Sequence, residues 1–472
     1  MAAVAQNAKV PVAADSRIVD WVGDVSRPQR PPQVELRLDH LPGLKPGVVS
    51  AISWLYDYMG RGVVAVSDYV RKYGPVSRVP FRSGSAVMVG DGDMVMRIAR
   101  NAEQEWSTAL AWMSFFEGVD LRGSLGGLDF EPHRDARKLL QPAFAPTALD
   151  GYMQISAPLI EQAIDGWVER GAVAFKADVR ALLASVSSRV FLGNEASGPM
   201  LDRALAQTWL TPFALFRNAF FSPTWRRGTR AHRTLSDSLR AMIPARRAAG
   251  GADLFSRLCA APDGTNADDD TIVRTFIGVM LGAFDTTSAG IASMAYLLAR
   301  HPDWQESMRR EAVALGPGPL TMQKAQELDM ADRCWKETLR LYPVTGAIPR
   351  LALRDVELGR QRIPAGALVF AMIGSTQRDG DWWTRPDTFD PDRFAVGRAE
   401  EKKRPGQFMP FGAGAHACIG SMLSTLEVKA FWHAMLPRCR FRLAADYDAR
   451  HEYKPMGSVS GPVKLVVEEI AG

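Results

Sequence analysis

The stretch Phe411-Gly412-Ala413-Gly414-Ala415-His416-Ala417-Cys418-Ile419-Gly420 constrains this chain more than any other. Its glycines preclude regular structure, yet Ile419, Leu423, Leu426 and Ala430 follow at helical spacing, so a glycine-rich loop runs straight into a helix. That puts the sulfur of Cys418 at a helix N-terminus. Free backbone N–H groups and the positive end of the macrodipole there favour thiolate over thiol, against a reference pKa of about 8.5. A thiolate held in this way is a metal ligand or a nucleophile.

The flanking residues bear on that choice. Gly412, Gly414 and Gly420 remove side chains from both sides of the sulfur, as expected where a backbone approaches a large flat object. Phe411 and His416 suit the face and the acidic edge of a macrocycle. The spacing Phe-x-x-Gly-x-x-x-Cys-x-Gly, followed by Leu423 and Glu427, resembles the haem-binding signature of the cytochrome P-450 family. The resemblance implies haem b (iron protoporphyrin IX) as cofactor and Cys418 as axial ligand of its iron, with Phe411, Gly414, His416 and Gly420 around the ring. It also implies a mainly α fold with a minor β region: a single large helical domain with a long central helix and a small N-terminal sheet.

At 472 residues the chain has room for a sizeable core, and no linker divides it after residue 40. Residues 1–35 lack clear periodicity and read as a flexible extension; residues 36–472 read as one haem-thiolate monooxygenase domain. A net charge of +5 is mild for this length and gives no nucleic-acid footprint. Cys259, Cys334, Cys418 and Cys439 form no Cys-x-x-Cys pair, which argues against a zinc site or disulfide framework and for a reducing, cytoplasmic compartment. Met1 to Asp15 have no leader-like character, and no apolar run approaches the ~18–20 residues of a membrane span. The expectation is a soluble, bacterial-type, monomeric member of the family without a transmembrane anchor.

Along the chain, a turn at Leu41-Pro42-Gly43 precedes a helical pattern through Ile52, Leu55, Tyr56 and Val64 that ends near Tyr73-Gly74-Pro75. Val76 to Gly92 favour strands. Trp106 to Gly127, with Trp112, Phe115 and Phe116, suits a loop or short helix over a pocket, although core filling accounts equally for these rings. His133 and Arg137 lie four apart on a predicted helix and can bind one carboxylate. Leu149 to Arg247 reads as helix broken by Gly171, Gly193 and Gly198; the resemblance makes its middle, with Phe213, Phe216, Phe220 and Phe221, a movable lid. From Asp269 the helical signal runs for ~30 residues, roughly 45 Å.

Within that helix Gly282, Asp285 and Thr286 fall at i, i+3 and i+4, and the small Gly282 and Ala283 leave a gap for something bulky. An acid and a hydroxyl beside such a gap can relay protons, with Asp285 gating them from solvent and Thr286 delivering them. The pattern is similar to the family's oxygen-activating motif, which makes Asp285 and Thr286 catalytic and sets Ala283 against the cofactor. Glu337 and Arg340 share their spacing with Glu306 and Arg309, an ordinary helix feature. Followed in order by Tyr342-Pro343, Arg350 and Pro391-Asp392-Arg393-Phe394, however, they resemble the family's structural network of Glu337, Arg340 and Arg393. The same order implies Arg350, His133, Arg137 and His416 as propionate partners. Trp112, Phe115, Phe284, Val344, Ala347 and Ile348 become candidates to line the substrate pocket. Gln377 and Gly380 depart from the family pattern and are expected to be harmless.

The activity implied is insertion of one oxygen atom from O2 into a C–H bond of an apolar small molecule: a terpenoid, steroid, fatty acid or hydrocarbon. No electron-transfer module is fused to the chain, so ferredoxin and ferredoxin reductase are the expected donors, with Lys402, Lys403 and Arg404 available to an acidic partner. A peroxide-driven peroxygenase and a non-catalytic haem sensor are the alternatives; neither needs Asp285 and Thr286.

Overall fold

The computed structural model describes residues 38–81, 84–116, 118–193, 199–209, 211, 222–260, 268–453 and 456–470. Its helices are α1 (Val48–Arg61), α2 (Val63–Tyr73), α3 (Gly92–Arg100), α4 (Thr108–Phe115), α5 (Phe130–Leu140), α6 (Pro146–Arg170), α7 (Phe175–Leu192), α8 (Pro199–Trp209), α9 (Pro223–Ala249), α10 (Leu254–Cys259), α11 (Asp269–Arg300), α12 (Pro302–Leu315), α13 (Met322–Ala325), α14 (Asp329–Leu341) and α15 (Ser421–Met435). The strands are β1 (Val76–Phe81), β2 (Gly84–Val89), β3 (Trp106–Ser107), β4 (Ala172–Ala174), β5 (Ile348–Ala352), β6 (Val356–Leu358), β7 (Gln361–Ile363), β8 (Leu368–Ala371), β9 (Cys439–Leu443), β10 (His451–Tyr453), β11 (Gly457–Val459) and β12 (Lys464–Glu469).

α11 is the spine. Asp268 caps it by accepting from the Thr271 N–H, Asp269 and Asp270 complement the dipole at its start, and Arg300 does so at its end. Apolar residues surround most of its length, so it is stable only when enclosed, and it packs against α7, α9, α14, α15 and β11. Among the described residues it is the helix long and apolar enough to cross a membrane, but 67% of its apolar window is buried by the rest of the molecule.

The helix expected from Ile52 to Tyr73 is two helices. Gly62 adopts φ 53° between α1 and α2, and a Cβ there would sit 2.1 Å from Nδ1 of His451, a residue that accepts from the Val63 N–H. The breaks at Gly171 and Gly193 fall where expected, each at positive φ after α6 and α7. Gly198, Phe213, Phe216, Phe220, Phe221 and residues 1–35 lie outside the described residues.

The first sheet is larger than an N-terminal hairpin. Its order is β1-β2-β8-β5-β3, with β2 parallel to β8 and the other pairs antiparallel. β5 and β8, far along the chain, thereby place Arg350 opposite Val369 in the sheet interior. A second sheet, β4-β12-β9, ties the C-terminus to the start of α7. One large hydrophobic cluster fills the helical part and a smaller one lies under the first sheet.

Candidate active site

Before α15 the chain folds back on itself. The Cys418 N–H donates to the Phe411 carbonyl at 2.9 Å, closing a loop that turns at Gly412 (φ 70°) and Gly414 (φ 73°). At Gly414 a Cβ would lie 2.6 Å from the Ala99 carbonyl, so glycine is required for the loop to seat on the end of α3. Gly420 passes beside the cysteine, where a Cβ would be 3.9 Å from its sulfur. From α5, Arg137 reaches across to donate to the carbonyls of Ala415 (3.3 Å) and Ala417 (2.7 Å), fixing the loop from behind.

Cys418 carries accessible surface, yet burial pushes its thiol pKa up; the Gly420 N–H and the Arg137 guanidinium only partly oppose this. This runs against the expectation of a thiolate made by the helix terminus alone. A sulfur both accessible and desolvated faces an enclosed space, and a metal ion there would supply the charge that favours thiolate.

The rim of that space carries a buried guanidinium and two imidazoles. Arg350 is buried, its Nε has no hydrogen-bond partner, and its Nη1 donates to its neighbour's carbonyl at Pro349. Burial pulls its pKa down to about 10, with Asp129 opposing. His133 is also buried, its ring centroid 3.8 Å from that of His416, and burial drives its pKa down to about 3. Nε2 of His416 lies 3.5 Å from Oδ1 of Asp129. That carboxylate is held below its usual range despite burial, by His416, Ser107 and the Thr108 N–H. An unmatched buried guanidinium is costly unless an anion reaches it. Among the described residues no group of three or more His, Cys, Asp or Glu side chains could hold a metal by itself. A single cysteine, an anion-demanding rim and a glycine-lined loop together fit an iron macrocycle with acidic edges.

On α11, Gly282 is exposed and Ala283 and Thr286 half-exposed, although this is the middle of a core helix; nothing lies within 4 Å of a Cβ built on Gly282. Thr286 donates from Oγ1 to the Gly282 carbonyl at 2.7 Å. Gly282 and Thr286 do share the open side. Asp285 instead turns to α7 and is buried: its Oδ1 meets Arg180 Nε at 2.6 Å, while Oδ2 has no partner. Burial raises its pKa, Arg180 opposing. Phe284 is fully buried with Arg180 over its ring at 5.2 Å, on the core side rather than the open side of the helix. A hydrogen bond between the hydroxyls of Thr287 and Ser424 (3.2 Å) joins α11 to α15 one residue from Thr286 and six from Cys418.

The remaining expected residues separate by role. Glu337, Arg340 and Arg393 are fully buried together, with Arg340 Nε to Glu337 Oε2 at 2.7 Å and Arg393 Nε to Glu337 Oε1 at 3.0 Å. Val344, Ala347 and Ile348 are half-buried where the chain enters β5, and Trp112 packs partly buried against the main cluster. The side chain of Phe115 lies outside the described residues.

Several participants escape sequence reasoning. Glu400, just ahead of Lys402, Lys403 and Arg404, is buried and pairs with Arg393 at 3.0 Å and Arg398 at 2.6 Å. Gln377 is buried against Arg340, which donates to its carbonyl at 2.7 Å, so its position is structural rather than incidental. Arg180 and Asp129 lie in no motif, and spacing offers no signal for a partner on another helix.

A mainly helical fold carrying a cysteine loop, a rim with a buried guanidinium and an opened core helix defines a haem-thiolate class of protein. The comparisons agree: the family model Cytochrome P450 matches residues 48–468, and the chain belongs to the cytochrome P-450 family. It is 33% identical over 435 residues to putative cytochrome P-450 136 of Mycobacterium tuberculosis, covering 88% of this chain and 87% of that one. It is 27% identical over 328 residues to cyclooctat-9-en-7-ol 5-monooxygenase of Streptomyces melanosporofaciens, covering 66% and 71%. The fold resembles that of cyanobacterial CYP120A1 with retinoic acid bound, with a TM-score of 0.78 at 22% identity over 85% of this chain and 93% of that one. The protein is therefore a haem b-dependent oxidoreductase of the monooxygenase type, acting on a small molecule with O2 and a redox partner.

Proposed function

We propose that the chain hydroxylates an apolar small molecule, a terpenoid, steroid, fatty acid or hydrocarbon, with Cys418 as the iron ligand. The observation that carries this is the buried Arg350, without a partner at Nε, beside the loop that presents Cys418. Arg350, Arg137, His133 and His416 would hold the acidic edge of the haem, and Gly412, Gly414 and Gly420 keep the loop clear of side chains. When bound, the haem supplies iron at which O2 is activated, and a thiolate ligand favours O–O cleavage. The reaction places one oxygen atom in a C–H bond and releases the other as water, consuming two electrons and two protons.

The protein's own contribution is to the protons and the substrate. Thr286 Oγ1, already donating to Gly282, has lone pairs left to accept a hydrogen bond from a group in the groove. Asp285 Oδ2, without a partner and in surroundings that raise its pKa, takes up a proton more readily than a solvated carboxylate, and Arg180, 39% exposed, links it to solvent. Val344, Ala347, Ile348 and Trp112 offer apolar contact, in keeping with a relative named for a cyclic alkenol and a structural neighbour bound to retinoic acid. The donors are a ferredoxin and its reductase, acting on a cytoplasmic monomer; the exposed Lys402, Lys403 and Arg404 suit an acidic partner.

The test is a spin-state titration of the haem-loaded protein with lauric acid, testosterone, geraniol and phenanthrene. Turnover of the best ligand then follows, with ferredoxin, reductase and O2 or with hydrogen peroxide alone. Product that depends on the donors is expected. Equal product from peroxide alone would favour a peroxygenase, and no product from either would favour a sensor.

A further inference from the structure

The opened stretch of α11 is engaged by side chains at three successive carbonyls. Leu281 O accepts from Trp209 Nε1 at 2.6 Å, Gly282 O from Thr286 Oγ1 at 2.7 Å, and Ala283 O from Thr287 Oγ1 at 3.3 Å. The last two donors belong to α11 itself; the first comes from the end of α8. In a regular helix Leu281 O accepts from the N–H four residues on, that of Asp285. A donor approaching from outside draws a carbonyl away from the axis, lengthens that ladder bond and bends the helix. Gly282, beside which nothing lies within 4 Å of a built Cβ, is the next residue along the helix.

Trp209 is buried, and its ring lies 5.4 Å from Phe116, which in turn lies 5.3 Å from Trp112. A row of three aromatic rings thus runs from α4 to the Leu281 carbonyl. We propose that Trp209 is a positioning residue: through its indole N–H it holds Leu281 O out of the helical ladder and so sets the geometry of Gly282 to Thr286. Contact of substrate with the Trp112 and Phe116 end of the row is thereby coupled to the stretch that handles protons. The inference rests on the monooxygenase reading for the use of that stretch, and on the hydrogen bond alone for its shape.

Two variants test it. Trp209→Phe removes the N–H with part of the ring, and Trp209→3-benzothienylalanine removes the N–H while keeping the bicyclic shape. Amide hydrogen exchange at Asp285 is read in the haem-loaded protein without substrate, together with the C–O stretch of the reduced, carbon-monoxide-bound form. Release of Leu281 O lets it bond the Asp285 N–H again, so exchange there slows by about threefold to tenfold in both variants, the range of one net hydrogen bond. The C–O stretch shifts from its wild-type position. Loss of packing has the opposite sign, because a loosened helix exchanges faster. Faster or unchanged exchange in the benzothienylalanine variant overturns the proposal even if Trp209→Phe folds poorly. Slowed exchange in a protein whose Thr286→Ala variant couples electrons to product normally would uphold the positioning role and reject the use assigned to the stretch.

Discussion

Thr286 and Asp285 divide the work at the open stretch of α11: the hydroxyl lies on the open side, the carboxyl on the side of α7. Replacing Thr286 with alanine removes the acceptor but leaves the gap beside Gly282. The variant is expected to load haem and bind substrate within about twofold of wild type while product per electron consumed falls by about tenfold or more, the remainder appearing as peroxide. Unchanged coupling would take Thr286 out of the proton path. Asp285→Asn keeps the size of the side chain and removes the ionisable oxygen. Turnover is expected to fall by about a hundredfold, with a steady-state solvent isotope effect larger than that of wild type. A rate within about twofold of wild type would mean that protons arrive by another route.

Between elements, the decisive contacts are the buried charges around Glu337. The Glu337 carboxylate pairs with both Arg340 and Arg393, the latter shared with Glu400, accepts from the Asp390 N–H at 2.9 Å, and so pins α14 to the segment leading to the cysteine loop. Glu337→Gln leaves Arg340 without a carboxylate in the core and Arg393 with Glu400 alone, and is expected to cost about 3–5 kcal/mol, read as lost haem content and a lower unfolding midpoint. The half-exposed pair of Glu306 and Arg309 has the same spacing, and Glu306→Gln should change stability by less than about 1 kcal/mol. Similar losses for both would mean that burial is not what distinguishes them. This contrast also marks what sequence could convey. Spacing and order made the Glu337 network, α11 and the cysteine loop readable, because each depends on residues close together or on a recurring pattern. The break at Gly62 was not, because the histidine that requires it is 388 residues from Val63. Nor was the parallel pairing of β2 with β8 or the bond from Trp209 to α11, each of which is decided by a partner distant in sequence.

For the molecule as a whole, two buried groups on opposite sides of their ordinary pKa values shape stability against pH. His451 is neutral in the fold: burial, with Arg378 and Lys176 nearby, pulls its pKa down to about 3 against the weaker opposing pull of the Pro343 carbonyl, and its Nδ1 accepts from the Val63 N–H. The unfolded chain takes up this proton near pH 6.5, so stability is full above that value and is lost as pH falls toward about 3. Glu427 runs the other way. Burial pushes its carboxyl up to about 8, with the Thr287 hydroxyl opposing, so stability is full below the unfolded value near 4.5 and is lost as pH rises toward about 8. Each slope approaches about 1.4 kcal/mol per pH unit, and the two offset one another where they overlap. Denaturant unfolding of the haem-loaded protein across this range should show a shallower acid limb in His451→Gln, where His133 still contributes, and a shallower alkaline limb in Glu427→Gln. An unaltered profile in either variant would reassign that limb to other groups.

The central claim is that Cys418 binds the haem iron as a thiolate, and the reduced, carbon-monoxide-bound absorption spectrum tests it most directly. Wild type should give the strongly red-shifted Soret band of a thiolate-ligated haem. Cys418→Ala should lose that band, while Cys259→Ala, a change at a buried cysteine of α10, should keep it. A red-shifted band that survives in Cys418→Ala would contradict the ligand assignment and the site built on it.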